Sequence, residues 1–167
     1  MISPRLAGAG VLALAMTSIW SPAQAHHSFA MYDSSTTLVK TGVIVRTTPD
    51  PWHFQMFFAE LNEDRNAVIR NDANDPIVWQ IEMETAALMA REGITNETVP
   101  PGTIVSVAFL PLRNGQPGGA RHTYAIYQCP ANTPPAAGLH CDSVEGSTKL
   151  GEGEFPVPTT EAAATAP

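Results

Sequence analysis

The feature that most constrains this chain is a change of period in the middle of a strand-rich sequence. Ile77-Val78-Trp79-Gln80-Ile81-Glu82-Met83 alternates as a half-buried strand does. Glu84-Thr85-Ala86-Ala87-Leu88-Met89-Ala90-Arg91-Glu92 then turns to helix-forming residues, and Gly93 supplies a stop. β-branched and aromatic segments flank this junction, at residues 38–46 and 52–61 before it and at 104–110 and 121–127 after it. Three strands, one short helix and two more strands are the element order of an OB-type Greek-key barrel, in which closure of the sheet removes exposed edges. The sequence therefore predicts an all-β fold with one short helix, a small five-stranded OB-like Greek-key barrel. An open α+β sandwich has the same element order and stays open as an alternative.

Turn chemistry separates the strands. Two prolines around Asp50 break the first strand from the second, since each removes a ladder donor. Gly42 lies inside the first strand, where a bulge or sharp bend is expected. Residues 62–75 are rich in Asn and Asp and form an unusually long hairpin connection, whose tip is expected to be the most variable backbone outside the termini. Pro100-Pro101-Gly102 and Asn114-Gly115-Gln116-Pro117-Gly118-Gly119 mark the later turns. Strand two carries aromatic residues on both faces. Trp52, Phe54 and Trp79 are candidate binding-face aromatics, against the plainer reading that they fill the barrel.

Arg5, an apolar run from Leu6 to Met16 and Ala23-Gln24-Ala25 have the layout of a secretory signal peptide cleaved after Ala25. The predicted division is a signal peptide over 1–25, a barrel domain over 26–128, a disulfide-pinned flap over 129–151 and a disordered tail over 152–167. Removing residues 1–25 leaves 142, which suits one domain. Residues 26–37 show no period and read as a lead-in that would be mobile if left alone. The apolar run is shorter than the roughly 20 residues a spanning helix needs, so no membrane span is expected in the mature chain, and export places the protein in the periplasm. The mature chain loses one of 9 basic residues and keeps 16 acidic ones, for a formal charge near −8. That balance, with no basic cluster, excludes a nucleic-acid partner held through its phosphates. Cys129 and Cys141 are the two cysteines, and in an exported chain a bridge is the default reading, stabilising by roughly 3 kcal/mol through loop closure. Metal ligation with His140 or a redox pair are the alternatives, and neither has Cys-x-x-Cys spacing.

His26-His27-Ser28-Phe29 at the expected mature start resembles a family of small exported bacterial proteins of unknown function, whose mature chains open with His-His-Ser-Phe. The chain is similar to that family also at Thr41-Gly42-Val43-Ile44, in a short helix ending at Gly93 and in the Pro101-Gly102 turn before the fourth strand. The family's Asn-Pro-His segment reads Asp50-Pro51-Trp52-His53 here, with Asp for Asn and one residue more before His. One extra residue within a strand reverses the face a side chain takes. The resemblance covers residues 26–127. It implies an exported barrel and carries no settled activity, and the 62–75 connection and the cysteine-bearing flap are additions to its pattern.

Cleavage after Ala25 would expose an α-amine on His26, and amine plus imidazole is a chelate for divalent copper, nickel or zinc. The candidate metal ligands are His26, His27, His53 and His122, with copper favoured by nitrogen-rich ligation and Met31 and Met56 as softer candidates. Beside this stand plainer readings: a frayed terminus for His26 and His27, a packed strand histidine for His53, and a solvated strand position for His122 beside Arg121. Glu82 and Glu84 share a strand face, where carboxylates are usually solvated charges. No catalytic motif occurs, neither a nucleophile elbow nor a phosphate-binding glycine loop, so no catalytic residue is assigned and a non-enzyme is favoured. The predicted function is an exported small binding or accessory module for a small ligand or protein partner, with copper at the mature amino terminus as an added option. Two other classes remain beside it: a periplasmic copper carrier or metalloenzyme centred on His26, and a subunit of a larger exported complex.

Overall fold

The computed structural model describes residues 29–156. Its strands are β1 (Leu38–Thr48), β2 (Gln55–Glu60), β3 (Val78–Glu82), β4 (Ile104–Pro111), β5 (Gly118–Ala120), β6 (Ile126–Gln128) and β7 (Thr148–Leu150), with one helix, α1 (Ala86–Arg91). β1 is long enough to serve two neighbours. Its first half pairs antiparallel with β4 and its second half with β2. β2 pairs antiparallel with β3, β3 runs parallel to β5, and β5 pairs antiparallel with β4. The circuit β1-β2-β3-β5-β4-β1 is thus closed, and α1 lies in the crossover between β3 and β4. This is the small five-stranded OB-like barrel with a single short helix that the element order predicts.

The helix begins where Thr85 caps it, its side chain accepting from the Leu88 N–H, and ends before Gly93, whose φ of 79° suits glycine. Its one buried residue, Met89, joins Phe54, Phe58, Ile81, Val107 and Phe109 in the core. Burying each such side chain stabilises the fold by about 1.5–3 kcal/mol.

Gly42 does not mark the bulge. It pairs regularly with Glu60 and Val105, and the register shift falls between Ile44 and Arg46. A Cβ at residue 42 would run into the Phe58 ring and approach the Ala59 carbonyl oxygen to 2.5 Å. The glycine is there because β2 crosses too closely for any side chain.

The fifth strand also differs from expectation. Leu110 faces Ala120 and Val107 faces Ile126, so Ala108 and Phe109 of β4 stand opposite residues 121–125. The expected strand over 121–127 is therefore not formed as such: residues 121–125 lie outside any strand, the barrel's fifth strand is Gly118–Ala120, within the segment expected to be a hairpin loop, and only Ile126 and Tyr127 of the expected strand are paired, in β6. The cause is Arg121, which is only 2% exposed. Its guanidinium donates to Glu92 Oε2 at 2.6 Å and to the Tyr124 carbonyl, and lies against Met89 Sδ at 3.3 Å. A buried charge needs such a partner, and reaching it pulls the chain out of register.

Beyond the barrel, β6 is extended by β7, and Cys129 is bonded to Cys141 with a Cα separation of 4.9 Å. A buried polar cluster fastens this region down. Thr41 Oγ1 is 2.7 Å from Ser106 Oγ and 2.8 Å from His140 Nδ1, and Ser106 Oγ accepts the Cys141 N–H at 2.8 Å. The 62–75 connection is likewise tied. Asn62 Oδ1 accepts from Asn66 and Ala67, Asn71 Oδ1 accepts from Ala73 and Asp75, and the Arg65 guanidinium donates to the Leu139 carbonyl of the flap.

Candidate functional site

The exit of β3 organises one end of the barrel. The Phe54 N–H donates to the Glu84 carbonyl at 2.9 Å and the Arg121 N–H donates to the Glu82 carbonyl at 2.9 Å. One backbone stretch, Glu82-Met83-Glu84, is thereby stitched to residue 54 on one side and to residue 121 on the other. His53 precedes Phe54 and His122 follows Arg121, so both imidazoles are delivered to the flanks of the same strand end. Between them is an open cleft of about 220 Å³ lined by Phe29, Tyr32, His53, Glu82, Met83, Glu84, Ala120 and His122.

His53 gets there through a turn. Asp50 Oδ1 accepts the Trp52 N–H at 2.9 Å and the His53 N–H at 3.4 Å, an Asx-type turn that Asp and Asn make equally well. The extra residue before His53 is absorbed in that turn, because β2 begins only at Gln55. The His53 ring donates from Nδ1 to the Met83 carbonyl at 3.4 Å, and the same nitrogen is 3.5 Å from Glu82 Oε1. Such a bond fixes the orientation of an imidazole and, in its neutral form, leaves the lone pair on Nε2. His122 is held differently, in a left-handed conformation with φ 55°, by the anchored Arg121 beside it. Its ring lies 6.1 Å from that of Phe29 and 6.0 Å from that of Tyr124.

The amino-terminal segment closes the third side. Phe29–Met31 is a 3₁₀ turn, and the chain after it is tied to the β4 end: the Asp33 N–H donates to the Pro111 carbonyl at 2.8 Å and the Arg113 N–H to the Met31 carbonyl at 3.0 Å. Residues 31–33 are thus part of the sheet's margin rather than a loose arm. Tyr32 is buried beneath, and burial first, then the charge and hydrogen bond of Glu82, push its phenol up to about 12.

Of the other residues singled out by sequence, Phe54 is 1% exposed and belongs to the core, not to a binding face. Trp79 packs at the core's edge, its indole N–H donating to Glu60 at 2.7 Å with Lys40 Nζ 4.8 Å from the ring centre, at the other end of β2 from the cleft. Trp52, next to His53, is 74% exposed. His26 and His27 lie outside the described residues, as do the expected signal peptide and residues 157–167. Among the described residues, no three His, Cys, Asp or Glu side chains are grouped closely enough to hold a metal ion. Nor, among them, is any helix long and apolar enough to cross a membrane. Phe29, Tyr32 and Arg121 were not candidates from sequence. Arg121 and Tyr32 gave no local signal, whereas the His-His-Ser-Phe start already contained Phe29.

A family model described as a family of unknown function (DUF6152) matches residues 13–122. The matched span runs from before the amino-terminal histidines through His122, and so takes in every lining residue of the cleft. The disulfide and β7 fall outside it. No curated protein and no solved structure matches the chain.

Proposed function

The chain belongs to this family of unknown function, and from that premise we propose that it is an exported binding module whose site is the cleft at the β3 exit, taking a divalent metal, copper in the first place. Its ligands are His53, His122 and the amine and ring of His26 at the processed amino terminus, with His27 as an alternate donor. The observation that carries the reading is that His53 and His122 line one cleft whose third wall is Phe29, three residues after His26. Three residues span up to ~10 Å, and the Phe29 ring lies 6.1 Å from that of His122. The donor set is rich in nitrogen, as copper prefers. Export is supported by the leader-like residues 1–25 and by the disulfide, a bond that persists in oxidising compartments.

The test uses protein that begins at His26, verified by intact mass. Copper titration is expected to find one tight site. His53→Ala should weaken it at least about tenfold, equivalent to ~1.4 kcal/mol. A variant with one residue added ahead of His26 should weaken it as well, because the amine is displaced. Unchanged affinity in both variants rejects the site and leaves His26 and His27 as a terminus with no bound metal.

A further inference from the structure

We infer that the start of β3, at the opposite end of that strand from the histidine cleft, is a docking edge for an extended peptide with an apolar centre and basic flanks, which adds a short strand beside Val78. Alternation along an antiparallel pair sets which way each backbone group points. The Met83 N–H donates to the Phe54 carbonyl at 2.9 Å and the Glu60 N–H to the Ile77 carbonyl at 3.2 Å, so the odd-numbered residues of this segment turn their backbone groups to β2. The even-numbered ones turn theirs to β5. The Gln80 N–H donates to the Pro117 carbonyl at 3.1 Å, and the Glu82 carbonyl accepts from the Arg121 N–H at 2.9 Å. Val78 is the even-numbered residue before Gln80. One step further along the parallel ladder, its carbonyl would meet the N–H of residue 117, but that residue is proline and has none to donate. Its own N–H would meet the Gly115 carbonyl, but the chain there is bent into a turn, with Gly115 at φ 74° and its N–H on the Leu112 carbonyl. Among the described residues, neither backbone group of Val78 has a hydrogen-bond partner.

Where β5 fails to continue there is a groove of about 560 Å³, lined by Val78 together with Asn71, Pro76 and Ile77 on one side and Gly115 and Pro117 on the other. Its volume is that of a ligand site. A donor and an acceptor on one residue of an open strand edge match the backbone of a peptide, and the alternate side chains of an added strand fill apolar walls. Charge selects which peptide. No lining residue is charged, so the centre of the occupant is apolar. Asp72 and Asp75, which directly follow Asn71 and precede Pro76, are exposed beside it, and the chain carries 16 acidic residues against 9 basic ones. Basic flanks complement that surface, whereas a second copy of this acidic chain is repelled by it.

The experiment follows amide exchange and amide NMR shifts of the protein, its disulfide intact, with a probe hexapeptide in which Val and Thr alternate between two terminal lysines. In the free protein the Val78 amide should exchange at least tenfold faster than those of Trp79 and Ile81, which face β2. The probe should slow exchange at Val78 and shift the amides of Val78 and Gly115. A version of the probe methylated on every internal amide nitrogen keeps its side chains and loses its donors, and it should bind roughly tenfold more weakly. Slow exchange at Val78 in the free protein overturns the inference, because the edge is then already paired. Equal binding of the methylated probe, or no shift at Val78 with either probe, also overturns it. Protection of Val78 that rises with protein concentration in the absence of probe assigns the groove to a second copy of the chain and overturns the proposed partner.

Discussion

A phenol and a carboxylate meet beneath the cleft, and their pairing makes a prediction at the scale of one residue. Tyr32 keeps its proton in the folded state because burial disfavours the phenolate and the neighbouring Glu82 charge adds to that penalty. The fold therefore binds this proton more tightly than the unfolded chain does. The corresponding stability is fully present below the ordinary value of 10.0 and is lost as pH rises from there towards about 12. Absorbance titration of the native protein is expected to show Tyr32, one of three tyrosines, ionising near 12. Glu82→Gln should lower that value without restoring the ordinary one, since burial is the larger cause. A Tyr32 phenol titrating at 10.0 in native protein would contradict the arrangement. His53 and His122 were legible as candidates because imidazoles are few in this chain. Tyr32 and Glu82 were not, because their meaning depends on a contact between residues 50 positions apart.

Among the elements, the strands were legible wherever local period and turn chemistry agreed with packing. β1, β3, α1 and β4 lie within two residues or so of where alternation and capping put them, because a strand with one buried face and a capped helix both write their period into the sequence. The break between β5 and β6 was hidden. Residues 121–127 alternate acceptably, but Arg121 turns inward to the distant Glu92 and Met89, contacts that local alternation does not record. Gly42 is ambiguous in sequence, since a bulge and a close approach of the paired strand both demand glycine. The two readings predict different costs. At a bulge, alanine loses little beyond backbone freedom, but at a crossing its Cβ must displace the Phe58 ring and the β2 backbone. Gly42→Ala is expected to destabilise the protein by about 1–3 kcal/mol, the range of overpacked cores. At Gly115, open space surrounds the same added methyl group and only the left-handed φ of 74° opposes it. Urea unfolding of both variants checks the contrast, and a near-neutral Gly42→Ala would mean that β1 and β2 can separate freely.

Across the whole molecule, the cleft and the flap use opposite ends of β2, and the flap's attachment includes a titratable histidine. His140 sits in a buried cluster with Thr41 and Ser106 that joins the disulfide-bearing segment to the barrel wall. Burial pushes its pKa below the ordinary 6.5, as do the cations Arg65 of the 62–75 connection and Lys40 of β1, with Asp142 opposing them. The uncharged Phe155 ring also lies against it, 6.3 Å away. In this environment the folded state favours the neutral imidazole, while the unfolded chain takes up a proton as pH falls through 6.5. The contribution to stability is therefore intact above 6.5 and is lost on acidification until the depressed folded pKa is reached, with a slope of at most about 1.4 kcal/mol per pH unit. Carboxylates elsewhere also titrate on the acid side, so the informative quantity is the difference between two proteins. Urea unfolding from pH 7.5 to 5, run on the wild type and on His140→Gln, should show the variant less stable at neutral pH but less sensitive to acid, so that the gap narrows as pH falls. Parallel curves would place His140 outside the linkage and leave Thr41, Ser106 and the disulfide as the whole of the flap's attachment.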